Sequence, residues 1–202
     1  MITLGMDTAG RYLNLALIKE EKTIDTVHRE CFKHQSEEIL PELQNLLARN
    51  GFTPEDVEAI VITEGPGSYT GIRIAMTLAK VFARMKEIPL YTVGSLQFLA
   101  GTAKEAIVYM DARAHRGYFG YYRYGKRVTE DSIMKEEELA GFCAAHPDAQ
   151  IRGDLKPIGK EDLQEDTPYH FADLRSEWRL ADPVDPLVPV YLKDSSEYLV
   201  KK

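Results

Sequence analysis

The residues with the clearest chemical potential form one run, Glu64-Gly65-Pro66-Gly67-Ser68-Tyr69-Thr70-Gly71-Ile72-Arg73. Gly65, Gly67 and Gly71 can take positive φ or admit another backbone at close range. Pro66 fixes φ between two of them, and the hydroxyls of Ser68 and Thr70 suit a helix N-cap. The apolar stretch Val57 to Thr63 ahead of the run reads as a buried strand. Ile72 to Met85 behind it has helical spacing and no Gly or Pro. Strand, glycine turn and helix together present backbone N–H groups and a helix N-terminus to an anion or a partner. An ordinary strand-to-helix connection is the plainer account of the same residues. The turn is neither a P-loop, since no Gly-Lys-Ser/Thr closes it, nor a dinucleotide fingerprint, since the glycine spacing differs.

Other chemistry-bearing types are sparse. Asp7 ends an alternating apolar run in the turn Asp7-Thr8-Ala9-Gly10, where a lone Asp ordinarily closes an Asx-turn. The histidines, His28, His34, His115, His146 and His170, have no i,i+3 or i,i+4 pairing, so no zinc or iron site is expected and surface or capping roles suffice. Between Arg113 and Arg127, basic residues interleave with Tyr118, Phe119, Tyr121, Tyr122 and Tyr124. Such a mixture can stack bases and pair phosphates, but tyrosines in a strand also serve a core, and that reading is preferred.

Gly-Pro-Gly-Ser-Tyr-Thr-Gly-Ile-Arg over 65–73 closely resembles the signature of the TsaB (YeaZ) family. Pro189-Val190-Tyr191-Leu192-Lys193 resembles a Pro-x-Tyr-Leu-Arg/Lys motif near that family's C-terminus. The likeness is good over the first half of the chain and thins after Gly153; Ala75 stands where the family usually has Gly. It implies an α/β protein of the actin-like/Hsp70-like (ASKHA) ATPase fold, with two lobes that each have a mixed sheet and flanking helices. It also implies a non-catalytic, cytoplasmic subunit that binds a TsaD-type catalytic paralogue in threonylcarbamoyladenosine modification of tRNA. A TsaE-type ATPase would join the larger complex, tRNA would be met mainly through the complex, and a homodimer stays open for the isolated chain. In ATP-using members the first turn grips phosphate and its Asp helps hold the metal, so Asp7 would be the remnant of a nucleotide site. The second-lobe turn, Met110-Asp111-Ala112-Arg113-Ala114, lacks the glycines that wrap phosphates, and only Gly153 is left of an adenosine-binding pair. Where TsaD-like enzymes carry two metal-binding histidines, this chain has Ser95-Leu96-Gln97-Phe98-Leu99-Ala100. Two other classes were weighed. A free-standing ATPase or small-molecule kinase needs the missing phosphate turns, and a protease needs a metal pair or a base beside Ser68.

The elements that must position these residues follow in order. Ile2 to Met6, Leu13 to Leu17 and Lys22 to Phe32 read as a three-stranded meander. Ser36 to Asn50 reads as an amphipathic helix capped by Ser36, stopped by Gly51 and kinked in its first turn by Pro41. Pro89 to Gly94 is a short strand and Ser95 to Ala100 a short helix. A second lobe (105–202, against 1–104 for the first) opens with strands at Ile107–Met110, Tyr118–Tyr124 and Arg127–Met134. A helix at Glu136–Ala145 follows, and the proline-broken segment after Asp182 is irregular, with a loose tail from Ser195. The 202 residues, 44% hydrophobic and 28% charged, are ordinary globular composition. A net charge of −7 argues against binding nucleic acid alone. Cys31 and Cys143 form no framework and are expected to be reduced; neither a signal peptide nor a membrane span is expected. On the Ile72–Met85 helix, apolar residues fill an arc of roughly 220° at about 100° per residue, wider than one sheet needs. Part of it, Ile72, Met76, Ala79 and Ala83, together with Leu40, Leu43 and Leu47 of the preceding helix, is expected to meet a partner. Ile74, Leu78, Val81 and Met85 form the other flank.

With the phosphate-turn glycines lost at Ala112 to Ala114 and the double glycine reduced to Gly153, the isolated chain is expected to show no measurable ATP hydrolysis and no low-micromolar affinity in a calorimetric titration with Mg-ATP.

Overall fold

The computed structural model describes residues 1–31, 33–156, 159–160 and 165–193. Strands β1 (Ile2–Asp7), β2 (Tyr12–Lys19) and β3 (Lys22–Glu30) form an antiparallel meander. Helix α1 (Gln35–Arg49) then crosses to β4 (Ala59–Thr63), which lies parallel to β1. Helix α2 (Tyr69–Lys86) leads to β5 (Leu90–Val93), parallel to β4, and the short α3 (Ser95–Ala100) follows. The same order then recurs. Strands β6 (Ala106–Asp111), β7 (Arg116–Arg123) and β8 (Lys126–Lys135) meander, and α4 (Glu136–Ala145) crosses to β9 (Gln150–Gly153), parallel to β6. The internal duplication read from the strand pattern is thus a repeated meander, helix and parallel strand.

The last described stretch departs from a simple two-halves order. After α5 (His170–Asp173), β10 (Arg179–Leu180) pairs antiparallel with β5 and completes a six-stranded sheet, β10-β5-β4-β1-β2-β3. The second sheet is β8-β7-β6-β9. Residues 181–191 have no regular structure, as the prolines predict, and pack Ala181, Val184, Leu187 and Tyr191 against the first core. The tail from Ser195 and the expected strand end at Phe32 lie outside the described residues.

Both faces of the first sheet are covered. Leu4, Met6, Leu13, Leu15, Ile60 and Ile62 face α1 and α2, whereas Ala16, Ile18 and Val61 face Phe98, Phe171 and Leu174. Helix α3 lies between the lobes: Phe98 packs on the first sheet, and Leu96, Leu99 and Ala100 pack on the second. Gly5 of β1 permits this, since a Cβ there would stand 2.4 Å from the Phe171 ring.

Several local expectations are corrected. Helix α1 begins at Gln35, not after a Ser36 cap; its first-turn boundary residue is His34, whose side chain makes no capping bond. Gln35 is drawn inward because its Nε2 donates to the Gly10 carbonyl at 3.0 Å. That start places Pro41 in the second turn, exposed, and the helix runs through it to Arg49. His170 is no surface histidine: it is 5% exposed, with Nδ1 at 2.8 Å from the Phe98 carbonyl, and burial lowers its pKa.

The largest correction concerns the expected partner face. Leu43, Leu47, Ile72, Met76, Ala79 and Ala83 are all buried within the chain, because they are the stripes by which α1 and α2 sit on the first sheet. Of the seven residues only Leu40 is exposed, at 49%. The outward flank is the other one: Val81 (52%) and Met85 (80%), beside half-buried Ile74 and Leu78. Met76→Glu is therefore expected to abolish the fold, since a charge buried without a partner costs several kcal/mol of a total of about 5–15. Loss of the cooperative thermal transition is the measurement.

Candidate functional site

The turn after β1 and the glycine run after β4 meet face to face. Ser68 N–H donates to the Ala9 carbonyl at 2.8 Å. A Cβ on Gly67 would stand 2.6 Å from Ala9 O, and one on Gly71 would stand 2.1 Å from Thr8 O. Both glycines are thus required for close backbone approach, while Gly65 also has positive φ, +116°, ahead of a cis Pro66. The Thr8 hydroxyl donates to the Gly71 carbonyl at 2.6 Å and accepts the Ala75 N–H at 3.2 Å. It therefore sits on one rung of α2, between residues i and i+4. Ser68 caps the helix, its Oγ accepting the Gly71 N–H at 3.2 Å; Thr70 lies inside the first turn and is not the cap.

The run is tied on its other sides as well. Ser95 N–H donates to Gly65 O at 2.8 Å, and Gly65 N–H donates to Ser95 Oγ at 3.0 Å. Glu64, largely buried, pairs with Arg179 of β10, and its carbonyl accepts Val190 N–H at 2.8 Å. Arg73 lies over the Tyr69 ring at 4.0 Å and donates to Tyr191 Oη at 2.9 Å, while Tyr191 stacks on Tyr69 at 5.2 Å. The two sequence motifs, Gly65–Arg73 and Pro189–Lys193, are neighbours in space.

Asp7 faces the cleft between the lobes with Gly10, Tyr12, Asn14, Ser95, Met110 and Asp154. Its carboxylate is already spoken for. Oδ1 accepts Ala9 N–H at 3.1 Å and Thr63 Oγ–H at 2.5 Å, and Oδ2 accepts the Asn14 amide at 2.8 Å. Burial pushes its pKa up, against the opposing pull of those three donors. Asn14 Oδ1 lies 2.6 Å from His28 Nδ1, and the His28 ring stacks on Tyr12 at 4.4 Å.

The N–H donors at the second-lobe turn are likewise taken. Arg113 N–H donates to Asp111 Oδ1 and Asp111 N–H to Asp154 Oδ2, both at 2.7 Å. Donors that would wrap a phosphate are satisfied by carboxylates, which would repel one. Arg113, Ala114 and His115 all have positive φ, 66°, 55° and 55°, a run of left-handed residues without a glycine. Gly153, at φ +103°, lets β9 turn over β6, for a Cβ there would lie 2.0 Å from Tyr109 O. Among the described residues no group of His, Cys, Asp and Glu is placed to hold a metal.

In the hairpin, Tyr118, Phe119, Tyr121 and Tyr122 are buried and only Tyr124 is exposed. Arg123 pairs with Glu105 at 3.3 Å, and Arg127 pairs with Asp131 at 2.8 Å. The sequence reading found the glycine run headed by Glu64 and found Asp7, but gave no role to Thr8, Asn14 or Thr63. Asn14, a polar residue among the alternating leucines of β2, was the one available signal.

A meander, helix and parallel strand built twice around an interlobe cleft define a two-lobed protein of the actin-like/Hsp70-like (ASKHA) class. Residues 21–152 match the family model described as TsaD: tRNA N6-adenosine threonylcarbamoyltransferase. The tRNA threonylcarbamoyladenosine biosynthesis protein TsaB of Bacillus subtilis is 30% identical over 217 aligned positions, spanning 96% of this chain and 94% of that one. The protein of the same description from Escherichia coli K12 is 30% identical over 144 positions, 68% of this chain and 60% of its own. The crystal structure of YeaZ from Pseudomonas aeruginosa superposes with a TM-score of 0.72 at 24% identity, covering 95% of this chain and 99% of that one. The chain belongs to this family, on the branch of the TsaB (YeaZ) relatives.

Gly71→Ala is expected to destabilise by about 1–3 kcal/mol, as overpacking against the Thr8 backbone. Ser68→Ala should lose a cap alone, about 1 kcal/mol. Urea titrations of the two variants, with Gly71→Ala the lower midpoint, are the check.

Proposed function

We propose that this chain is a non-catalytic subunit that binds a TsaD-type catalytic paralogue and makes it competent for threonylcarbamoyladenosine modification of tRNA. The observation that carries this reading is the pairing of a self-satisfied cleft with an uncovered apolar strip. Asp7 and Asp111 accept hydrogen bonds from within their own lobes and Asp154 accepts the Asp111 N–H, so these turn donors are taken and the described residues offer no phosphate cradle for an independent kinase or ATPase. Ser68 Oγ accepts a backbone N–H as a helix cap, which is a structural role and gives the protease reading no support.

The strip lies on the two helices of the first lobe. Leu40 of α1 and Val81 and Met85 of α2 are exposed, with Ile74 and Leu78 half-buried beside the latter pair. Two helices of this length can supply the ~800 Å² per partner of a standard interface. In this reading residues 1–104 carry the glycine run and the partner-facing helices. The chain from 105 builds the second lobe before returning to brace the first. A second copy of the chain would use the same strip in isolation, in competition with the paralogue. A TsaE-type ATPase would join the assembled pair rather than this chain alone. Transfer RNA is met through the complex, since all of the hairpin's tyrosines but Tyr124 are buried and its Arg123 and Arg127 are paired. No helix among the described residues is long and apolar enough to cross a membrane.

Val81→Glu and Met85→Glu are expected to shift stability by less than about 0.5 kcal/mol, as exposed substitutions do. Each should nevertheless weaken association with the catalytic paralogue by at least tenfold, about 1.4 kcal/mol. Size-exclusion and calorimetric titration of the mixed subunits measure this. Variants that stay folded and still bind at full strength would move the interface elsewhere.

A further inference from the structure

The passage of residues 187–193 across the molecule does more than finish the fold. Val190 N–H is bonded to the Glu64 carbonyl at 2.8 Å, and Val190 O fills the space that a side chain at Gly65 would need, 2.3 Å from its Cβ position. Tyr191 takes the Arg73 hydrogen bond at 2.9 Å and stacks on Tyr69. Upstream, Lys80 Nζ of α2 donates to the carbonyls of Asp185 at 2.6 Å and Leu187 at 3.1 Å. Up to Tyr191, then, this segment belongs to the first lobe. Within the next two residues it changes lobe. Leu192 packs on the core formed by Leu96, Val108, Met110 and Tyr118, and the Lys193 ammonium donates to the Ala112 carbonyl and lies 5.8 Å from the Tyr118 ring.

Ala112 opens the turn in which Arg113, Ala114 and His115 are all left-handed. Non-glycine residues persist in that region only where surrounding contacts hold them there. Every other hold on the turn comes from the second lobe: Ala112 N–H to Arg116 O at 2.8 Å, Arg116 N–H to Arg113 O at 3.2 Å, Arg113 N–H to Asp111, Asp111 N–H to Asp154, and Glu136, whose N–H donates to His115 O at 3.0 Å and whose carboxylate lies 2.9 Å from His115 Nδ1. Lys193 supplies a hold from outside, and it is anchored through Tyr191 to the glycine run.

We propose that residues 187–193 form a latch that joins the two lobes, coupling the Gly65–Arg73 turn to the Asp111–Arg116 turn and fixing the width of the cleft beside Asp7. With the latch seated, both turns move as one body. With it released, the second-lobe turn and the cleft face of β1 loosen while each sheet stays intact. The helix α3, the contact of the Gly125 turn with Leu174 and the Arg152–Asp166 pair beside β2 and β3 still join the lobes.

The test uses the full chain carrying Leu192→Ala and Lys193→Ala together, followed by amide hydrogen exchange resolved by segment. Exchange in 112–116 and in 8–11 is expected to rise at least about tenfold, while β1, β4, β6 and β7 keep their protection. Tyr191→Ala, which cuts the anchor on the other side, should release the same two segments. Val188→Ala, 69% exposed in the same passage, is the control and should change neither. Unchanged exchange in both turns of the double variant would overturn the proposal. So would an equal loss of protection throughout both sheets, because the segment would then contribute general stability and no coupling between lobes.

Discussion

One threonine hydroxyl sets the geometry on which the first lobe depends. Thr8 Oγ lies between the Gly71 carbonyl and the Ala75 N–H, so the turn after β1 is inserted into the first turns of α2. The contact is buried, and its partners lie 63 and 67 residues apart in the chain. Buried hydroxyls must be satisfied, and this one is satisfied at both its donor and its acceptor. The insertion is possible only because Gly67 and Gly71 have no Cβ, which brings the backbones of Thr8 and Ala9 within reach. Ala75, where a glycine is usual in the family, is fully buried in the first core. The extra methyl is accommodated in the core. Glycines that on sequence grounds suit an anion are here spent on backbone-to-backbone packing.

That expenditure alters the cleft. In a nucleotide-binding turn, free N–H groups and an available carboxylate face the ligand. Here Ala9 N–H turns to Asp7, Ser68 N–H to Ala9, Arg113 N–H to Asp111, and Asp111 N–H to Asp154. The backbone donors of both turns are therefore bonded within the chain. Asp7 illustrates the balance: burial works against its charge, while three donors converge on its oxygens. A carboxylate so enclosed is a structural hub of β1, β2 and β4, and it has little left to offer a metal.

The parts of this architecture legible in the sequence are those with local causes. Alternation marked the meanders, helical spacing marked α2, and the glycine run marked its N-terminus. The start of α1 was misplaced because the decisive bond, Gln35 to Gly10, joins residues 25 apart. The region 167–180 was unreadable for a related reason. A four-residue helix and a two-residue strand have too few residues for any periodicity, and their order comes from Phe171 beneath β1 and from Arg179 beside Glu64. Thr63 was likewise invisible as a site residue, and Asn14 showed only as a polar residue among leucines, since their common partner Asp7 gives both their role. The expected partner face failed on geometry: sequence shows the width of an apolar arc but not which part faces the sheet.

The arc of α2 is wide because three neighbours divide it. Ile72, Ala75, Met76, Ala79 and Ala83 sit on the first sheet, and the small residues among them let the helix approach closely. One margin, marked by Arg73 and Lys80, is taken by the returning segment through Tyr191 and the carbonyls of Asp185 and Leu187. The opposite margin, toward Val81 and Met85, is left uncovered by the described chain. Stepping about 100° per residue places these two margins on different sides of the helix, so the returning segment cannot shield both. The asymmetry follows from chain connectivity. Residues 181–191 approach from β10 at the edge beyond β5, and α1 lies on the other side, over β2 and β3. Among the described residues no further element lies over this margin, and an apolar strip left there is one that another polypeptide can cover.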